Sequence, residues 1–418
     1  GRGGIAIVPA APERVRNRDV VYPYRQDSDF YYLTGFAEPE SVAVLAPGRK
    51  SAEYILFCRE RDPERETWDG HRAGQEGAVA DHGADDAFPI GDIDDILPGL
   101  LEPCDRVYYT MGVDSDFDQR VIGWVNSLRG GGQSARPGPQ EFVALDHMLH
   151  DMRLYKSRSE LAAMRRAAKI ATAAHTRAMR RCKPGMKEYE LEAEFLHQFR
   201  RHGTVPSYNP IVGGGANACV LHYVENNDAL SDGDLVLIDA GCEHDYYASD
   251  ITRTFPVNGS FTASQRVIYD IVLDANRAAI DKVRAGNHWN EPHEAAARCI
   301  TKGLSKAGLL KGTLAALLRA RAYKKFFMHR TGHWLGMDVH DVGDYKVGDQ
   351  WRVFEPGMVL TVEPGIYIAP GTPGVARKWW GIGVRIEDDV VVTRGEPEVL
   401  TRALPATADE IEAAMQGA

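Results

Sequence analysis

Apolar positions along the chain follow two regimes. In the first third they come as short runs rich in β-formers, "SVAVLAP" (residues 41–47), "EYILFC" (53–58) and "RVYYTMG" (106–112), separated by polar stretches. Such runs read as strands among short helices, which makes this part α/β. "LRGGGQSARPGPQEF" (128–142) is a glycine, serine and proline cluster and reads as loop. Beyond it the period lengthens. "SELAAMRRAAKIATAAHTRAMRRC" (159–182) sets Leu161, Met164, Ala168 and Ala171 on one face of a long helix, with Ser159 as its cap. We place a domain boundary near 152, giving an N-terminal α/β domain (1–152) and a C-terminal domain (153–418).

Within the second domain a pattern recurs. "GDLVLIDAG" (233–241) and "GMVLTVEPG" (357–365) share a leading glycine, an apolar strand, an acid at the seventh place and a closing glycine. The acids are Asp239 and Glu363. Each precedes a second acid in strand-like sequence, Asp250 in "YYASDITRTF" and Glu387 in "VRIEDDVVV". Helical stretches, "YELEAEFLHQFRRHG" and "SQRVIYDIVLDANRAAIDKV", precede both copies. Glycine, strand and acidic turn is also common in ordinary α/β chains, so the pattern leaves duplication and coincidence both open. If two halves do face each other, four carboxylates converge. Unit charges ~4 Å apart repel by ~4 kcal/mol at an effective dielectric near ~20, and two divalent cations would balance them.

"FFMHRTGHWLGMDVHD" (326–341) adds histidines at 329, 333 and 340. It approaches the helical zinc-protease spacing, but Arg330 stands where that chemistry needs a glutamate base, and Gly332 and Gly336 disfavour a helix. One of these histidines would complete a shell of mostly hard oxygen, which suits Mn²⁺ or Co²⁺, tolerates Zn²⁺ or Fe²⁺ and argues against thiolate. A metal pair ~3.5 to 4 Å apart generates hydroxide from a bridging water near neutral pH, so the reaction class is hydrolysis.

Composition narrows the partners. The 49 basic and 59 acidic side chains leave a net charge of −10, which gives no support for nucleic-acid binding. No apolar run is long enough to span a membrane. The six cysteines lack any C-x-x-C pair and read as reduced thiols of a cytoplasmic protein. The start lacks a signal-peptide layout and an initiating methionine, so residues are expected before it. "VGGGAN" has no phosphate-loop lysine and reads as a turn, and Trp379 and Trp380 in "RKWWGIG" read as packing.

Together "DLVLIDAG", "SDITRTFPV", "GHWLGMDVHD", "MVLTVEPG" and "GIGVRIEDDV" resemble the pita-bread-fold metallopeptidases, the creatinase and methionine aminopeptidase-like group with a pseudo-two-fold repeat. In the first domain, "YPYRQDSDFYYLTGFAEPES" and "ETWDGHRAGQEGA" resemble the bacterial-type Xaa-Pro aminopeptidases (aminopeptidase P) more than prolidase. The resemblance implies a metal-dependent aminopeptidase that hydrolyses the N-terminal Xaa-Pro bond through a hydroxide bridging two divalent ions, Mn²⁺ first and Co²⁺ or Zn²⁺ next. Xaa-Pro dipeptidase is the alternative. A related hydrolase such as creatinase, and a peptide- or histone-binding pseudoenzyme, are weaker ones, since the implied ligands are all present.

Residue by residue, the resemblance implies metal ligation by Asp239, Asp250, His333, Glu363 and Glu387. Asp250 and Glu387 would touch both ions, Asp239 one, and His333 with Glu363 the other. Glu363 would also act as base, with His222, His329, His340 and Arg385 in catalytic roles. His222, His329, Tyr367 and Arg385 would bind substrate, with Trp68 donated by a neighbouring subunit and Asp19 near the site in a dimer or tetramer. One departure is Arg330, where the family pattern has glycine.

Overall fold

The computed structural model describes residues 3–129 and 138–417. The chain separates into two compact units, 1–150 and 151–418. The centre of the glycine, serine and proline cluster expected to be loop, residues 130–137, lies outside the described residues. Its ends differ from expectation: Leu128 and Arg129 finish the helix Ser115–Arg129, and Glu141 and Phe142 open the strand Glu141–Val143.

In the first unit the three expected strands are Val42–Leu45, Tyr54–Cys58 and Arg106–Tyr108, within a six-stranded mixed sheet. Strand Gly4–Pro9 sits inside it, antiparallel to Val42–Leu45 and parallel to Arg106–Tyr108. Alternate side chains go to opposite faces. Ile5, Ile7, Val44, Ile55 and Phe57 pack on one side with Leu97, Val121 and Trp124 from two helices. Val8, Ala43, Leu56 and Cys58 pack on the other with Phe30 and Phe36. Both faces are covered, which is why these strands read as apolar runs and not as alternation.

The second unit opens its first half with the helix Arg158–Arg181. Its cap is Ser157, not Ser159: the Ser157 hydroxyl accepts from the Glu160 amide, and the Glu160 carboxylate accepts from the Ser157 amide. This reciprocal pair satisfies two otherwise orphaned donors and fixes the start two residues earlier. Met164, Ala168, Ala171, His175 and Ala178 lie on its buried face. Helix Glu188–Arg201 follows, then the antiparallel strands Ile211–Gly214, Leu235–Asp239 and Thr252–Pro256.

The second half repeats that order. Helices Ala263–Ile280 and Glu291–Lys306 precede strand Val359–Val362, which pairs antiparallel with Asp388–Val391, and the ribbon Gly365–Ile368 with Ile382–Arg385. The halves are stitched at their acid-bearing strands. Arg253, fully buried, donates to the Glu387 carbonyl at 2.7 Å and to the Asp388 carboxylate at 2.7 Å. Thr254 Oγ1 donates to the Arg385 carbonyl at 3.1 Å, and the Glu387 amide donates to the Thr252 carbonyl at 3.1 Å.

Of two smaller readings, one changes and one holds in part. "VGGGAN" is not simply a turn: Val212 to Gly214 belong to a strand, and a 3₁₀ turn begins at Gly215. Trp379 is a buried core residue, whereas Trp380 is half-exposed and donates its indole N–H to the Val375 carbonyl at 3.0 Å.

Candidate metal centre

The histidine-rich stretch forms no helix. It is laid along strand Val359–Val362 as an irregular edge: the Leu335 amide donates to Val359 O at 3.0 Å, Thr361 N to His333 O at 2.9 Å and Glu363 N to Thr331 O at 2.8 Å. The glycines permit that approach. A Cβ on Gly332 would stand 2.0 Å from the Thr361 carbonyl oxygen, and one on Gly336 would stand 2.1 Å from Asp341 Oδ2. Behind the loop, buried Lys156 and Arg153 grip Asp341 at 2.8 and 2.6 Å, which anchors the segment next to His340.

This lattice turns His333 inward. Its Nδ1 lies 2.9 Å from the Trp334 carbonyl and donates there, leaving Nε2 3.3 Å from Asp250 Oδ2 and 3.7 Å from Glu363 Oε1. Ligating atoms of Asp250, His333 and Glu387 all lie within 4.8 Å of one another. Asp239, at the end of its strand, joins through Tyr208, whose hydroxyl reaches Asp239 at 2.5 Å and Asp250 at 2.6 Å. Asp250 and Glu387 lie in the links just before Thr252–Pro256 and Asp388–Val391, not inside strands. Glu387 accepts from Thr252 Oγ1 at 2.7 Å.

A second chain of bonds faces the acids. His329 Nδ1 donates to its neighbour's carbonyl at 2.6 Å, so Nε2 accepts from the Tyr367 hydroxyl at 2.9 Å. That hydroxyl accepts from Arg385 Nη1 at 3.1 Å, and Arg385 Nη2 holds Asp239 Oδ2 at 2.7 Å. His340 is exposed, its ring 4.2 Å from that of His333. His222 is also exposed and close enough to act electrostatically on His329 and His340. Trp68, 81% exposed, and Asp19, exposed, belong to the first unit.

The electrostatics expose an imbalance. Burial, then the charges of Asp250, Glu363 and Asp239, drive Glu387 far above the ordinary carboxylate range. Burial lifts Asp239 against the opposing pull of Arg385, and lifts Glu363 to about 7. Asp250 goes the other way: burial opposes its charge, but the His333 and Tyr208 hydrogen bonds outweigh it. Burial likewise disfavours a charged His333, yet the Asp250 and Glu363 carboxylates raise it to about 9. The protein's own cations bearing on these acids are Arg385 and a protonated His333, too few for the carboxyls gathered there. Several hard oxygens and one imidazole fit divalent ions, which would take the place of the protons.

Four positioning residues were not foreseen. Tyr208 and Thr252 are lone hydroxyls with no spacing signal in the sequence. Asn276 donates to the carbonyls of Val362 at 3.0 Å and Ile386 at 3.3 Å, the residues just before Glu363 and Glu387. Its signal was available, a polar side chain in phase with the apolar face of Ala263–Ile280. His175 is its counterpart in the first half, with Nε2 3.0 Å from the Ala240 carbonyl beside Asp239.

Residues 162–394 match the profile of metallopeptidase family M24, and residues 1–108 that of the aminopeptidase P N-terminal domain. Xaa-Pro aminopeptidase of Escherichia coli K12 is 48% identical over 418 residues, spanning 100% of this chain and 94% of the relative. The solved Pseudomonas aeruginosa aminopeptidase PepP is 62% identical and superimposes with a TM-score of 0.98 over 100% of this chain and 94% of that one. Proline aminopeptidase P II from Yersinia pestis is 50% identical, with a TM-score of 0.96 over 99% and 95%.

Proposed function

The chain belongs to metallopeptidase family M24 and, within it, to the Xaa-Pro aminopeptidases, and from that premise we propose how its residues release the first residue of a peptide whose second is proline. The observation that carries the reading is the buried convergence of Asp250, His333 and Glu387 within 4.8 Å, with Asp239 and Glu363 alongside. These five side chains would hold two divalent ions, Mn²⁺ before Co²⁺ or Zn²⁺. When bound, the ions supply Lewis acidity and activate water at neutral pH.

The remaining chemistry belongs to the chain. Glu363, beside His333 Nε2 at 3.7 Å, takes a proton from the attacking water and returns it to the proline nitrogen as the C–N bond breaks. That return is required, because a tertiary-amide nitrogen leaves as a secondary amine. His340 and His222, at the exposed rim, steady the oxyanion and the substrate's N-terminal residue. Burial and then the Arg385 charge push His329 down to about 3, so it stays neutral and can hold its place in the chain to Tyr367 and Arg385. This wall receives the proline ring, which offers no N–H and a fixed φ.

The exposed Trp68, and the exposed valines Val15, Val20 and Val21 of the ribbon Val15–Asn17 with Val20–Val21, support a homo-oligomer, dimer or tetramer, in which Trp68 and Asp19 of one chain approach the site of another. The six cysteines are free, which suits a reducing, cytoplasmic setting. Among the described residues no helix is long and apolar enough to cross a membrane. The test is to incubate the Mn²⁺-loaded protein with a tripeptide having proline second and with an Xaa-Pro dipeptide. Release from the tripeptide is expected; cleavage confined to the dipeptide would make it a prolidase.

A further inference from the structure

His329 also lines a cavity of about 640 Å³. Arg298, Arg321, Lys324 and Arg330 line it, against a single acid, Glu294. None of these four basic side chains forms an ion pair among the described residues, and all four are exposed. Glu294 is already occupied, accepting from Asn290 Nδ2 at 2.6 Å. Arg330 is held over the Trp351 ring, 5.0 Å from its centroid, which fixes its guanidinium in the cavity wall. Three of these charges converge on one spot: after burial, Arg330, Lys324 and Arg321 are what depress His293 to about 4.

His329 joins this cavity to the metal centre. It lines the cavity while its Nε2 holds Tyr367 and its Nδ1 lies 3.8 Å from Glu363 Oε2. A peptide with proline against His329, Tyr367 and Arg385 therefore has this basic cavity next along its path. We propose that the cavity binds carboxylates carried by the substrate beyond proline, so that the enzyme favours peptides with acidic tails. This rests on the Xaa-Pro reading of the metal centre. An unpaired cluster of cations around a concave wall attracts such groups and fixes the direction in which the tail leaves.

The carboxylates could be side chains or the peptide's own terminus, and three substrates separate them. All have alanine first and proline second: a Glu-Glu tail ending in an amide, a Gln-Gln tail ending in an amide, and a Gln-Gln tail ending in a free acid. Initial rates with the Mn²⁺-loaded protein give kcat/KM for each, in low salt. We expect either or both acidic peptides to exceed the Gln-Gln amide by about tenfold, with about two- to fivefold lost per charge in Arg321→Gln, Lys324→Gln and Arg330→Gln. High salt should shrink the preference in the parent enzyme. Equal values for the three peptides, or a preference that the variants leave intact, overturns the cavity's role. Failure to cleave even the Gln-Gln amide overturns the Xaa-Pro reading instead.

Discussion

Asp250 stands at a junction of the site, touching Tyr208, His333 and, through its amide, Asp389. Asp250→Ala should leave a folded protein with turnover reduced at least ~10³-fold and a lowered metal content, read by mass spectrometry of the purified protein; full activity would remove it from the site. His175 provides a test that metal does not confuse. Its folded value, about 3, lies below the ordinary 6.5 because the ring is buried, so the unfolded chain takes up the proton first as pH falls. Its contribution to stability is therefore complete above about 6.5 and lost as pH drops toward 3. His175→Gln keeps an N–H donor for the Ala240 carbonyl and abolishes the titration. Between these limits the fall in unfolding free energy should flatten by up to ~1.4 kcal/mol per pH unit, measured by urea unfolding of the metal-stripped protein. An unchanged slope would show that His175 is not the group responsible. Asp239 and Glu363 were legible in the sequence because they recur at one place in glycine-bounded strands, and the histidines because they crowd one short glycine-threaded stretch, whereas Tyr208 and Thr252 act only through folding.

At the scale of elements, two buried polar anchors decide where the acids stand. Asn276 ties its helix to both strands that deliver Glu363 and Glu387. Asn276→Leu leaves two buried carbonyls without their donor and should cost about 1 to 3 kcal/mol, with weaker metal binding in the same variant. Lys156 and Arg153 neutralise Asp341 beneath the histidine loop. Lys156→Met breaks a fully buried pair and should cost about 3 to 5 kcal/mol in urea unfolding, together with a lower kcat from a displaced His340. A loss under 1 kcal/mol would mean the loop is held elsewhere. The long helix was readable from its alanine-rich face, but its start was not, because Ser157 and Ser159 are equally good caps by type and only the Glu160 exchange separates them. The path of 326–341 was less readable still. Its shape is set by backbone bonds to a strand some thirty residues later in the chain, which no local period encodes.

For the whole second unit, repetition of helix, helix, strand and acid brings like charges together from sequence-distant halves, and the stitching by Arg253 and Thr254 keeps them there. Removing the ions should therefore destabilise the fold as well as stop the chemistry. Each site at ~100-fold excess over its Kd contributes about 2.7 kcal/mol, so chelation should lower Tm by several degrees, checked by calorimetry with and without chelator. The duplicated pattern was visible in the sequence, but only convergence in space distinguishes it from chance.

Mn²⁺ titrated into the metal-stripped protein and followed by electron paramagnetic resonance addresses that convergence most directly. Two bound ions per chain are expected, with the spin coupling of a pair ~3.5 to 4 Å apart. No tight binding, or a lone uncoupled ion, would contradict a paired centre built from both halves.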